Sequence, residues 1–206
     1  MAKLRAPLFS FSASGKLAKS LVYFGWKGLN VVRSYVIPAN PKSADQVTQR
    51  NYLKAAVAAI HTAQALALQG LVSIDQSAYA LLGSLQATPR TWFNTACKAW
   101  IDQYVKGLHG AIYRGGISAE ADGFLTSTVF FTDEGPNGIT AGDFWYGTKK
   151  TALLTSKVAA IGPADAASAN LVGLTNGVLY YWQFRPTAHV DYVGMNSGIY
   201  HGTPHA

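Results

Sequence analysis

Ten side-chain carboxylates, five histidines and one cysteine are what the 206-residue chain offers for acid–base, metal or nucleophilic chemistry. Their spacing decides what they can do. Asp133 and Glu134 are adjacent where a strand pattern runs into a turn, and neighbours on a strand point to opposite faces. They do not converge as a general acid/base pair, which needs both groups within reach of one proton path. His201 and His205 have the four-residue spacing that a helix turns into a metal pair, but Gly202 and Pro204 forbid a good helix there. His61 lies in an alanine-rich helical stretch, off its apolar face, and reads as exposed. Cys97 is the single cysteine. It excludes an intrachain disulfide and a zinc site built on several cysteines of one chain. Between Ala96 and Lys98 in a helical pattern, it reads as a small buried apolar side chain. There is no Gly-x-Ser-x-Gly, and Gly15-Lys16 lacks the upstream glycine and the following hydroxyl of a phosphate loop. The expectation is a protein that is not an enzyme and uses no metal or cofactor.

The cations form the stronger pattern. Lys3, Arg5, Lys16, Lys19, Lys27, Arg33, Lys42 and Arg50 face only Asp45 in the first fifty residues. Met1 to Glu120 carries 13 Lys and Arg against 4 acids, whereas Ala121 to Ala206 carries 4 against 6. Such a segment can meet phosphates in a salt-dependent way or an acidic protein face, where complementary charge sets register. Tyr23, Phe24 and Trp26 interleave with the cations, which suits a protein interface, and no helix-turn-helix or RNP motif is present. A protein partner is therefore favoured over nucleic acid. The candidate interface is Lys16, Lys19, Tyr23, Trp26, Lys27, Arg33 and Arg50. Composition points the same way: 49% of residues are hydrophobic and only 13% charged, against about 25% in an ordinary soluble chain. Assembly interfaces are depleted in Lys, Glu and Asp.

The elements that must carry these residues follow from periodicity. Leu21–Trp26 and Leu29–Ile37 read as strands joined at Lys27-Gly28, Leu8–Ser12 as a third strand, and Gly15 as a turn. Pro38 and Pro41 stop the sheet. Ser43 caps a helix with Gln46 three residues on. Its inner face is expected at Leu53, Val57, Ile60 and Gln64, and its end at Gly70. A shorter helix is expected over Asp75–Leu85. Thr88-Pro89 is expected to start another, with Trp92, Phe93, Ala96, Trp100 and Tyr104 on one side. From about Gly110 the helical period gives way to Gly, Thr, Ser and aromatics. Phe124–Thr132, Asp143–Tyr146, Leu153–Ile161, Ala169–Leu174, Val178–Arg185 and Tyr192–Tyr200 read as short strands of a sandwich or barrel. No run approaches the roughly 20 apolar residues of a membrane span, and Leu8–Phe11 is too short for a signal core. The chain is expected to be made in the cytoplasm and to stay soluble until it assembles.

Two stretches resemble known families. Thr128-Val-Phe-Phe-Thr-Asp-Glu134, Asp143-Phe-Trp-Tyr-Gly-Thr148 and Leu171 to Phe184, with Gly173, Leu174, Gly177 and Tyr180 in a Gly-Leu-x-x-Gly-x-x-Tyr arrangement, resemble a fibronectin type III-like domain. The resemblance implies that Tyr180 is a tyrosine corner and that Trp182 and Phe184 alternate into the core. The usual core Trp of the second strand is absent, and Phe130 or Phe131 takes its place. In the first half, Gly15-Lys-Leu17, Trp26-Lys-Gly28, Val32-Arg33, Pro38-Ala-Asn-Pro41, Gln46 and Gln49-Arg50 are similar to small virion-gene proteins of tailed bacteriophages. Together they imply an α+β multidomain chain. Residues 1–112 would form a basic β-hairpin plus helices assembly module, and 113–206 an all-β fibronectin type III-like sandwich. The expected function is that of a non-enzymatic virion structural protein, a capsid decoration or other head- or tail-associated component. Its partners would be other virion proteins and further copies of itself. The alternative is an adhesion or carbohydrate-binding module with Trp145 and Tyr192 exposed for stacking on sugars.

Overall fold

The structure, a computed structural model, describes residues 15–17, 20–27, 29–37, 42–133, 135, 138–163 and 165–205. The chain divides into two compact units, Met1–Ser43 and Ala44–Ala206. The division leaves every acid in the larger unit. The first 43 residues hold seven Lys and Arg and no acid, and the rest hold ten of each sign.

The smaller unit is a three-stranded antiparallel sheet, β1 (Gly15–Leu17), β2 (Leu21–Trp26) and β3 (Leu29–Ser34), in that order. Trp26 pairs with Leu29, so the β2–β3 connection is two residues long. Such a loop needs left-handed backbone, and Lys27 takes it with φ 48°. Gly15 begins a strand rather than a turn, and β3 ends at Ser34, short of the expected Ile37. The Tyr35 N–H still donates to Ser20 O at 2.7 Å. The expected strand Leu8–Ser12 and the prolines Pro38 and Pro41 lie outside the described residues.

The larger unit opens with three helices, α1 (Ala44–Ala65), α2 (Ser73–Ser84) and α3 (Trp92–Val105). Eight strands follow: β4 (Ala111–Ala121), β5 (Phe124–Asp133), β6 (Ala141–Gly147), β7 (Thr155–Val158), β8 (Ala160–Gly162), β9 (Ala166–Val172), β10 (Tyr180–Ala188) and β11 (Tyr200–Gly202). They form two four-stranded antiparallel sheets ordered β4-β5-β9-β8 and β11-β10-β6-β7. On β5 the alternation puts Leu125, Ser127, Val129 and Phe131 inward, and on β10 Trp182 and Phe184 are fully buried. The Phe131 and Phe184 rings lie parallel at 6.5 Å and Tyr113 meets Phe184 edge-on at 5.7 Å. The inner faces of the two sheets therefore share one aromatic core. Phe131 is buried and Phe130 only half-buried.

The helices belong to the same core. Ile60 and Trp100, both wholly buried, join Ile112, Phe131 and Phe184 in one apolar cluster. The texture change near residue 110 marks the passage from helix to strand within that core, and the 112/113 position falls inside β4. Several local expectations differ from the structure. The inner face of α1 is Ala56, Ile60 and Ala63, with Leu53 exposed. Alanine lets neighbouring backbone come close, so two of the three inner positions are small and the large Leu53 stays outside. The helix stops at Ala65 because the Leu71 N–H turns back to the Ala63 carbonyl at 2.9 Å. α3 is capped by Thr91, whose Oγ1 accepts from Asn94 N–H at 3.3 Å. Thr88-Pro89 belongs instead to the preceding turn, which the Arg90 N–H closes onto Gly83 O. The expected strand Leu153–Ile161 is two, β7 in one sheet and β8 in the other. Tyr192–Tyr200 contributes a 3-10 turn over Val190–Tyr192 and only the first residue of β11. β4 had no counterpart among the expected strands.

Candidate functional site

The strand register sorts the candidate interface residues. Residues directly opposite in an antiparallel pair share a face. Lys16 pairs with Val22 and Val22 with Arg33, so Lys16 and Arg33 stand in one cross-strand row. Phe24, Trp26, Val31 and, by alternation, Tyr35 lie on that face. Tyr23 pairs with Val32 and points to the other, together with Leu21 and Ser34. On the cationic face each cation lies over a ring of its own chain. Lys16 Nζ is 4.7 Å from the Tyr35 centroid, the Arg33 guanidinium 5.2 Å from that of Phe24, and Lys27 Nζ 6.0 Å from the Trp26 indole. Lys16 Nζ also donates to Tyr35 Oη at 3.5 Å. The structure thus unites Lys16, Trp26, Lys27 and Arg33 and leaves Tyr23 on the opposite face. Arg50 is exposed on α1 in the other unit. Lys19 lies outside the described residues.

Leu21, Val22, Tyr23, Phe24, Val31 and Tyr35 are only half-buried, and Trp26 is 59% exposed. Three short strands need an apolar face covered by something to be stable. On this sheet these apolar and aromatic side chains stay partly open.

The most heavily bonded polar group of the larger unit was not singled out in the sequence. Asp75 is wholly buried in the first turn of α2. Its Oδ2 accepts from the backbone N–H of Val72 at 2.9 Å and of Gly115 at 3.0 Å. Its Oδ1 accepts from Gly116 N–H at 2.9 Å and from Tyr200 Oη at 2.8 Å. One carboxylate thereby ties the start of α2, β4 and β11 together, beside the positive end of a helix dipole. The β4–β5 register slips between Arg114 and Ile117. Gly115, with φ 58°, supplies the left-handed step of this bulge, and Gly116 lies flat against the Tyr200 ring. Burial first, then the charge of Asp75, holds the Tyr200 phenol well above its ordinary range, so it stays a proton donor. Next to it Tyr79 Oη accepts from Tyr113 N–H at 3.0 Å, and Tyr113 Oη donates to Met195 O at 2.7 Å. Arg114 donates to Thr132 Oγ1 and to the Gln69 carbonyl, and burial lowers its pKa. The tandem glycines in an otherwise strand-like run are the one local signal that marks this junction.

The remaining candidates are scattered. Asp133 Oδ2 accepts from Ile139 N–H at 2.9 Å and caps its own turn. His201 meets Tyr181 edge-on, while the exposed His205 lies 3.3 Å from Glu120. Cys97 is buried, and burial pushes its thiol pKa up. Among the described residues no three His, Cys, Asp or Glu gather as a metal-holding group, and no helix is long and apolar enough to cross a membrane. Tyr192, expected as an exposed sugar platform, is wholly buried, and its hydroxyl accepts from Gly135 N–H at 2.6 Å. Trp145 is half-buried with the Arg185 guanidinium 4.9 Å from its ring, so one stacking surface is already taken. Tyr180, at the start of β10, accepts from Thr175 N–H at 3.2 Å, five residues upstream. No protein-family model matches the chain, and no curated protein matches it.

Proposed function

We propose that the chain is a non-enzymatic virion structural protein of the tailed-bacteriophage kind, in which the N-terminal sheet docks on the particle and the larger unit is displayed from it. The observation that carries this reading is the sheet of Met1–Ser43: acid-free, carrying seven Lys and Arg, and with Leu21, Val22, Tyr23 and Phe24 only half-buried and Trp26 exposed. Such a sheet reaches a stable state by covering a face against a neighbour. The larger unit has its own aromatic core and equal numbers of each charge, which suits a displayed body. Its reading as a fibronectin type III-like or immunoglobulin-like sandwich is supported by strand order. Lettered in sequence, β4-β5-β9-β8 is A-B-E-D and β11-β10-β6-β7 is G-F-C plus one, the order of that sandwich class. The bond from Thr175 N–H to Tyr180 Oη supports a tyrosine corner. A place among head-decoration proteins rests on the sequence resemblance.

Mass spectrometry of gradient-purified particles from cells carrying the gene tests the reading. Peptides of the chain should appear at a fixed stoichiometry to the major shell protein. A chain deleted of residues 1–43 should remain soluble and be lost from particles. Particles without the chain, or with the truncated form at full copy number, would overturn the proposal.

A further inference from the structure

We infer that the docking surface is one face of the N-terminal sheet, that of Lys16, Trp26, Lys27 and Arg33, and that it takes an acidic polypeptide surface. This rests on the reading of the sheet as a docking element and names its face and partner. Register puts Lys16 and Arg33 on that face, Lys27 in the adjoining turn reaches the Trp26 ring, and the opposite face, with Tyr23, Leu21, Val32 and Ser34, carries no described charge. With no acid in Met1–Ser43, none of these cations is neutralised from within its own unit. Charge complementarity therefore calls for an anionic occupant.

Two anionic occupants compete, carboxylates on a protein and phosphates on a nucleic acid. Proteins that grip single strands offer open aromatic faces on which bases stack. Here the Tyr35, Phe24 and Trp26 rings each lie beneath a cation of the same chain. Phe24 and Tyr35 are half-buried, Val22 and Val31 share their face, and the Trp26 ring alone of the three is largely open. That surface pairs with carboxylates set in an apolar patch and offers bases one open ring in place of a row to stack on. Lys16 and Arg33, two strands apart in one row, are about 10 Å apart at their backbones. Carboxylates seven residues apart on a helix match that interval, at about 1.5 Å per residue.

The test measures binding of the full chain to fluorescently labelled poly-L-glutamate and to a single-stranded oligodeoxythymidylate, by anisotropy at low and moderate salt. K16Q/R33Q should weaken poly-glutamate binding about tenfold, whereas K54Q/K106Q, with the same loss of charge at exposed sites of the larger unit, should weaken it by less than about threefold. Glutamine keeps hydrogen-bonding capacity, which spares the sheet. Amide shifts of the unsubstituted chain on adding poly-glutamate supply a second readout and should concentrate at Lys16, Phe24, Trp26 and Arg33. An equal loss in the two variants, shifts spread evenly over the chain, or tighter binding of the oligonucleotide than of poly-glutamate would overturn the inference. Because the isolated chain is used, this face can fail the test while particle incorporation holds, and the reverse.

Discussion

Asp75→Asn is the most informative single substitution in the larger unit. The side chain keeps its size, its burial and one acceptor oxygen, but an NH2 replaces the second oxygen. Turned toward Val72 and Gly115, that NH2 faces two N–H donors; turned toward Gly116 and Tyr200, it donates to a rotated Tyr200 hydroxyl and only the Gly116 N–H is left facing a donor. A buried donor left without a partner costs about 1–3 kcal/mol. The better orientation strands one, which places the destabilisation at about 2 kcal/mol. Asp75→Ala strands all four donors and costs about 5 kcal/mol or more, a large share of the roughly 5–15 kcal/mol that holds a domain folded. Tyr200→Phe removes one of the four bonds and costs about 1 kcal/mol. Urea unfolding followed by tryptophan fluorescence measures these differences, with an unchanged slope showing that the denatured state is unaltered. A double-mutant cycle between Asp75 and Tyr200 should return a non-zero coupling, as contacting partners do. If Asp75→Asn lies within about 1 kcal/mol of the unsubstituted chain, the carboxylate does not join the helices to the sheets and the reasoning fails.

Asp133 is held above the ordinary carboxylate value of 3.8, first by burial and then by repulsion from Asp165, with the Ile139 N–H acting against both. The folded state then binds its proton more tightly than the unfolded state, so stability falls as pH rises through the window above that value. D133N keeps an acceptor for Ile139, and its melting temperature relative to the unsubstituted chain should rise between about pH 3.5 and pH 7. An added methyl at Gly116 would run into the Tyr200 ring. G116A should therefore cost about 2 kcal/mol or more in urea unfolding. Cys97, buried with its thiol pKa raised, should resist iodoacetamide at pH 8 in the folded chain and react once urea unfolds it, by intact mass.

The α+β class, the basic hairpin with its turn at Lys27 and most strand centres were legible, because each rests on short-range pattern. β-branched and aromatic runs mark strands, and tandem turn residues punctuate them. What stayed hidden depends on distant partners. Leu53 looked like a core position and Ala56 did not, since only the packed neighbour reveals that small side chains face inward on α1. Asp75 looked like an ordinary acid in a first helical turn. Three of its four donors, Gly115, Gly116 and Tyr200, are 40 to 125 residues away. Tyr192 looked like an exposed aromatic at the start of a strand, yet it is wholly buried and its hydroxyl accepts from Gly135 N–H. β4 escaped because its bulge at Gly115-Gly116 breaks the alternation that identifies a strand. The cation–ring stacking on the N-terminal sheet was half visible. The residue types were evident, but the face that each takes required the register.

The two lateral flanks of the larger unit are unequal. α2 stands against the flank where β4 and β11 end their sheets, held there by the Asp75 bonds and by Ile199 N–H to Ala78 O. On the other flank β7 is exposed along its length, with Leu154 and Val158 largely bare. As the end of its sheet β7 leaves one side of its backbone without a strand partner, and its four-residue length and Lys157 are what limit strand addition there.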